Sequence, residues 1–532
     1  MSKLTGIKKV NTPLLIKALI IATLPVLSCV LYCLLNGGSL FNVYLPASEW
    51  NDEVYYYKQI EGMIAYGFPR GFFGYNEKHA ILLSFASWSP ALYLPWALWG
   101  FCFGWNVYSP VIANIVFLSL TLAVYVILTN PKVNQLVAFS VLFILFRPVT
   151  RYAMSLVPET ICHCMAILIT SLGISYQRKE KAVKLIFMFA FASYAMLMRP
   201  YMVLFMGLPV FFLIKKRKAV GAIASAVIVT VTSVGYYLIN HYLLSPYLEP
   251  VFSIEWLRAF HNGGLVYGIK GILSLLGNAT KEYIYWIRVF FSEGRAQGSY
   301  FIVFSGLTVI LIWQLVTGLV NAIRHKKAGN PKVEETKHLP VLAGITISFI
   351  LMLFALLLMY SLEDGSRHLQ IFILASFVVL SAYLERDYSK VIISALLILA
   401  VFIRPIADYE SAVPFKTDEA VNKEAFWTES FSSMELNKKD APSFDNTVMW
   451  VINDVNDTTG FASDWRILYY LPKGFGINGV QGTYAYDNYD SIKCRYIMAP
   501  KGGRVDELCR CSDYKVIGED AKTVVYDRKN VK

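Results

Sequence analysis

The sequence predicts an all-α polytopic membrane domain, about eleven spanning helices with interfacial helices over residues 1–404, followed by a small extracytoplasmic α/β domain over 405–532. Three observations lead there. Hydrophobic residues make up 56% of the 532 and charged residues only 16%, where soluble domains run near ~25% charged. The apolar residues gather in runs close to the ~20 that a helix needs to cross a ~30 Å hydrocarbon core. From about residue 408 the composition turns polar, with short strand-like runs between Gly, Pro, Asp and Asn turn signals.

The first apolar run, 14–35, follows Lys3, Lys8 and Lys9 and shows no small-residue cleavage site, so it reads as a retained first span. Further runs follow at 111–128, 135–146, 160–175, 185–198, 201–214, 220–244, 300–323, 341–360, 369–384 and 391–403. One more, 82–103, carries Trp88, Pro90, Pro95, Trp96 and Trp99. Two prolines so close cost a spanning helix backbone hydrogen bonds, and Trp favours the headgroup level, so this run reads as an interfacial helix. Counting it as a span would also put Arg178, Lys179, Lys181, Lys184 and the block Lys215, Lys216, Arg217, Lys218 outside, against the positive-inside rule. Without it those clusters are cytoplasmic, together with Lys132, 324–337 and 386–390. Segments 36–109, 151–159, 241–299, 363–368 and the tail then lie outside.

The net charge of +12 would suggest nucleic acid in a soluble protein; here the basic residues sit in short loops as membrane anchors, and no nucleic-acid partner is expected. In the tail, runs 447–452, 467–471, 495–498, 514–517 and 523–526 read as strands. Cys29, Cys33, Cys102, Cys162 and Cys164 lie in apolar surroundings and read as inert thiols. An extracytoplasmic tail would allow one disulfide among Cys494, Cys509 and Cys511, with one thiol left over.

Candidate chemistry gathers in the outer segments. Asp52 and Glu53 follow the first span, in Trp50-Asn51-Asp52-Glu53-Val54-Tyr55. Helix dipoles favour acids in a first turn, which gives a structural reading of the pair; the functional reading is a general base for an acceptor hydroxyl at the lipid boundary. The stretch from Gly67 to His79, with Arg70, Tyr75 and Glu77, is rich in Gly and aromatics that suit sugar stacking, as they also suit an interfacial loop. His261 lies in the second outer segment. Its ligand type, with Glu77 or His79, would suit a divalent metal, but the spacing matches no metal motif and no cofactor is assigned.

The acidic pair after the first span, the Tyr beyond it, the Gly-bearing loop, Glu77-Lys78 and the interfacial Pro/Trp run together resemble the GT-C fold glycosyltransferases. The likeness is to families 39 and 83, the protein O-mannosyltransferases and the lipid A aminoarabinose transferases. It covers residues 40–385, through short motifs whose strength lies in order and sidedness. In those families an Asp of an AspGlu motif is catalytic, matching Asp52 and Glu53; their PheGluLysPro motif resembles Tyr75-Asn76-Glu77-Lys78, with His79 in place of Pro. A second acid near a Pro is similar to Pro158-Glu159, and an Arg with an aromatic or His at the start of a late span is similar to Arg367-His368.

The resemblance implies a polyprenyl phosphate sugar donor, a glycan, lipid or protein acceptor, inversion at the anomeric carbon, and residence in the cytoplasmic membrane of a bacterium with the active site outside. The leaving phosphate then needs fixed cations. Arg367 is the first choice, because guanidinium grips phosphate as a bidentate fork, with His368, Arg151 and Arg70 behind it. Each Arg is alternatively a residue snorkelling to headgroups. Glu159 would orient Asp52 or the acceptor, or cap its helix; Tyr55, Tyr75, Glu77, His79 and His261 would bind acceptor or sugar. Two other functions stay open: a polymerase or ligase of lipid-linked polysaccharide, which should lack the early AspGlu pair, and a secondary transporter. A transporter would place ionisable residues at the bilayer midplane and is often built of repeats, and neither feature shows here.

Overall fold

In a computed structural model, the described residues are 12–47, 51–66, 74–79, 85–86, 90–245, 255–327, 339–359, 362–384, 388–402, 414–436, 443–456 and 459–530. Over the described residues, each of the eleven apolar runs read as a span is largely helical. The first is α1 (Thr12–Ala22) and α2 (Leu24–Leu35), which meet at Thr23. After the short helix α4 (Leu94–Phe103) come α5 (Ser109–Thr129), α6 (Val133–Leu145) with α7 (Arg147–Ala153), α8 (Glu159–Arg178) and α9 (Ala182–Met198). Next are α10 (Gly207–Leu238), α11 (Glu255–Glu293), α12 (Ala296–Lys327) and the helices Leu339–Met359, Leu369–Ala382 and Ser389–Phe402.

Six helices among the described residues are long and apolar enough to cross a membrane, seven when α6 and α7, bent 70° apart, count as one. The 43-residue stretch Pro200–Tyr242 holds two of the expected runs. They divide at Lys218, whose φ of 46° interrupts α10 inside the basic block. By contrast α4 has ten residues, a length of about 15 Å at ~1.5 Å per residue, too short to cross. It buries Trp96 fully, with Nε1 donating to Asn114 Oδ1 at 3.0 Å, while Leu94, Leu98, Phe101 and Phe103 are exposed.

The two ends of the bundle differ chemically. At one end Arg178, at the close of α8, donates to the Thr129 carbonyl at the close of α5, Lys184 donates to the Ser175 carbonyl at 2.7 Å, and Tyr383 donates to Gln177 at 3.0 Å. At the other end lie the starts of α8 and of the helix Leu369–Ala382, and the polar tail packs there.

The tail is an α/β domain around a seven-stranded sheet. With β1 (Gly74–Tyr75), β2 (Lys78–His79), β3 (Phe85–Ala86), β4 (Leu244–Ser245), β5 (Thr447–Val451), β6 (Asn453–Asn456), β7 (Thr459–Ala462), β8 (Gly476–Val480), β9 (Tyr496–Pro500), β10 (Lys515–Glu519) and β11 (Thr523–Asp527), the order is β10-β11-β9-β5-β8-β1-β2. Strands β9, β5, β8 and β1 run parallel, and the outermost strands are antiparallel. The first outer segment therefore completes the sheet of the tail, and the division at 404/405 is crossed by β1 and β2. A second tie is backbone pairing of Val43 and Tyr44 with Pro414 and Phe415. One apolar core runs without a break from α2 to β8.

One expected strand changes, and two elements appear that the sequence did not signal. Residues 467–470 are helical: Asp464 caps the 3-10 helix Trp465–Tyr470 by accepting from the Arg466 amide at 3.1 Å, so this apolar run packs as a turn of helix and not as a strand. Strand β8, Gly476-Ile477-Asn478-Gly479-Val480, was hidden by its two glycines. Most of 241–299 is helix α11, broken at Gly264 with φ of 70°. A Cβ at Gly268 would lie 2.3 Å from Phe260, so residues 255–263 fold back on the rest of α11. All three tail cysteines are free, with Cys494 and Cys509 buried and Cys511 exposed.

Candidate active site

The helix α3 (Asp52–Tyr66) sets the site. Residues Glu53 to Met63 are all buried, because α3 lies between the bundle and the tail. Tyr56 meets Tyr93 at 5.6 Å, Tyr57 stacks on Trp105 at 5.9 Å and meets Tyr469 at 5.8 Å, and Tyr55 meets Trp450 at 5.8 Å. Lys58, also buried, pairs with Glu61 and donates to the Leu471 carbonyl at 2.9 Å. Aromatic packing on several sides fixes the position of the first residue of the helix, Asp52.

Asp52 faces Arg367, which sits in the 3-10 turn Ser366–His368; Nη2 lies 3.7 Å from Oδ2, and the side chains of Arg367 and Asp52 are 22% and 32% exposed. Glu159, first residue of α8, makes a buried ion pair with Arg199, Oε1 to Nη2 at 2.7 Å. The Tyr201 hydroxyl lies 3.0 Å from His368 Nδ1. Tyr56 is within electrostatic reach of Asp52, Glu159 and Arg199, and Arg367 of Tyr152, Glu159, Asp52 and Tyr56. Burial, then the charge of Asp52, holds the Tyr56 phenol well above its ordinary pKa, so this hydroxyl keeps its proton.

Asp52, Glu159, Arg367 and His368, expected on the same face, thus converge at one end of the bundle, opposite Arg178 and Lys184. Arg151 is buried on α7 beside Tyr152, a neighbour of Arg367. The other expected residues lie elsewhere. Glu53 is fully buried next to Tyr469. Tyr55 stacks on Tyr75 at 5.6 Å within the seam between α3 and the tail's sheet. The Glu77 carboxylate accepts from the backbone amides of Lys493 at 2.8 Å and Cys494 at 2.9 Å, which seats β1 on the tail. His79 ends β2, its side chain outside the described residues, as is all of Arg70. His261 is exposed on the leading piece of α11. Among the described residues no three His, Cys, Asp or Glu side chains group as a metal site.

Sequence reasoning missed Arg199, Tyr56, Tyr152 and Tyr201. A signal existed for Arg199: it is a cation between two apolar runs on the side that the positive-inside rule leaves poor in cations. Together the groups offer a partly exposed carboxylate that can accept a proton, a guanidinium with fork geometry beside it, and a buried ion pair within electrostatic reach.

No protein-family model matches the sequence, and no curated protein matches it. Among solved structures, the chain is similar to the oligosaccharyltransferase of Archaeoglobus fulgidus in the apo form, at 12% identity and TM-score 0.48 over 92% of this chain and 70% of that one. A structure of that archaeal enzyme, AglB, with an inhibitory peptide and a dolichol-phosphate gives 11% identity, TM-score 0.47 and coverages of 93% and 70%. ArnT from Cupriavidus metallidurans bound to undecaprenyl phosphate gives 11% identity, TM-score 0.41 and coverages of 97% and 98%. Each is a distant likeness in chain trace.

Proposed function

We propose that this protein is an inverting membrane glycosyltransferase that moves a sugar from a polyprenyl phosphate to an acceptor hydroxyl at the outer face of the membrane. The observation that carries the proposal is the meeting of Asp52 with Arg367, at the end of the bundle that also buries Glu159 with Arg199. A base and a phosphate-gripping cation are the two parts that such a displacement requires.

In the reaction the acceptor oxygen forms a bond to the anomeric carbon as the bond from that carbon to the phosphate oxygen breaks. Asp52 takes the acceptor proton. The polyprenyl phosphate leaves with the electron pair, and Arg367 neutralises the charge that develops on it. Arg367 rests against Asp52. A phosphate seated on the guanidinium competes for that contact and frees the carboxylate to act. Glu159 is a positioning residue: it fixes Arg199, which lies near Tyr56 and His368.

The test is donor turnover in proteoliposomes supplied with a panel of polyprenyl phosphate sugars, wild type against Asp52→Asn. Turnover of one donor that falls by about 10² or more in the variant supports the assignment. Unchanged turnover removes Asp52 as the base.

A further inference from the structure

A second candidate site lies on the lipid-facing side of the bundle. A cavity of about 230 Å³ is walled by Ser28, Leu31 and Leu35 of α2, by Arg147 and Thr150 of α7, and by Leu399 of the helix Ser389–Phe402. It opens sideways, since Leu31, Leu35 and Leu399 are 42%, 59% and 39% exposed on a surface otherwise built of apolar helix. Leu35 ends α2 and Arg147 begins the helix after the α6 bend, so the cavity sits where the apolar segments stop, at the same end as Asp52.

Two of its polar groups, Arg147 and Ser28, stand without a partner among the described residues. Among the described residues no carboxylate or carbonyl pairs with the half-buried Arg147. Ser28 is 4% exposed, and among the described residues its hydroxyl has no hydrogen-bond partner. A guanidinium at the rim of hydrocarbon, above a groove walled mainly by Leu31, Leu35, Ile144, Leu145 and Leu399, matches one phosphate with one chain beneath it.

We propose that this groove seats an anionic glycerophospholipid, its phosphate on Arg147 and an acyl chain along Leu31 and Leu399. A net negative headgroup is favoured over a zwitterionic one because, among the described residues, no carboxylate sits against Arg147. The seat is distinct from the Asp52 and Arg367 cluster: Tyr152, which faces Arg367, is two residues past Thr150 on the same short helix, and so lies on another face of it.

The test uses the full chain in phosphatidylcholine vesicles doped with phosphatidylglycerol whose acyl chain carries a diazirine, with adducts mapped by mass spectrometry. Adducts are expected at 28–35 and 399–402, and to fall about fivefold in Arg147→Gln, the effect of one cation near an anionic surface. Leu31→Trp narrows the groove with the charge intact and is expected to lower labelling at Leu399. Wild-type labelling in both variants overturns the proposal, as does equal labelling by a phosphatidylcholine probe. Displacement of the probe by a polyprenyl phosphate, but not by excess phosphatidylglycerol, also overturns it and assigns the groove to the donor.

Discussion

Glu159 and Arg199 have side chains 2% and 0% exposed, and neither charge is tolerable there alone. Replacing one member of a buried pair strands the other, so Glu159→Gln is expected to destabilise the protein by about 3–5 kcal/mol. Glu159→Gln with Arg199→Met should recover most of it, read as thermal unfolding in detergent. The contact of Asp52 with Arg367 behaves differently, because both groups keep solvent access and sit 3.7 Å apart. Arg367→Ala is therefore expected to cost about 1 kcal/mol of stability or less, yet to lower turnover by about 10²–10³. A variant that loses stability and activity together would show that Arg367 is structural. At this scale Asp52, Glu159 and Arg367 were readable as acids and a cation at one set of ends of the apolar runs. The tyrosines around them were not, because aromatic residues occur throughout this sequence, and only packing selects which ones face the charges.

Between elements, the hairpin of β1 and β2 shows how short signals acquire tertiary meaning. Asn76 and Glu77 turn it with φ of 49° and 54°, the geometry of a two-residue turn that Asn adopts readily and Glu does not. The Glu77 carboxylate then binds two amides across the sheet. Glu77→Gln is expected to destabilise this seam by about 1–3 kcal/mol. Faster hydrogen exchange at 74–79 should appear with the acceptor KM unchanged; a rise in KM with exchange unaltered would return Glu77 to substrate binding. The motif-like spacing around Glu77 was visible in the sequence. Its partner was not, since the distance along the chain to Lys493 is 416 residues. The run 467–471 misled for a related reason: its apolar residues face α3, and a capping Asp464 decided helix over strand.

For the whole molecule, hydropathy and the placement of basic loops were enough to order eleven helices and to put Arg178 and Asp52 at opposite ends, because charge and oil obey the bilayer before they obey packing. The tail was legible only as α/β, since strand order in a parallel sheet is set by contacts that no local pattern encodes. Its stability should carry a pH signature. Burial raises the carboxyl pKa of Asp464, but the hydrogen bond and charge of Lys423 outweigh it, and Arg495 does the same for Asp527, so both lie below the ordinary 3.8. Depressed values contribute stability that is present above 3.8 and lost as pH falls through the folded values. Tail fluorescence from Trp427 and Trp450 should thus melt at a steady temperature from about pH 7 to 5 and earlier below 3.8. An earlier melt already at about pH 6 would point to other groups. The hairpin at 74–79 also has a consequence in time. Glu77 and its acceptor Asn478 are 401 positions apart, so at ~5–20 residues per second the nascent hairpin waits roughly 20–80 s for the strand it joins. Until then α3 lacks one of its walls, and a ribosome that stalls short of the tail releases a chain whose Asp52 has no fixed place to stand.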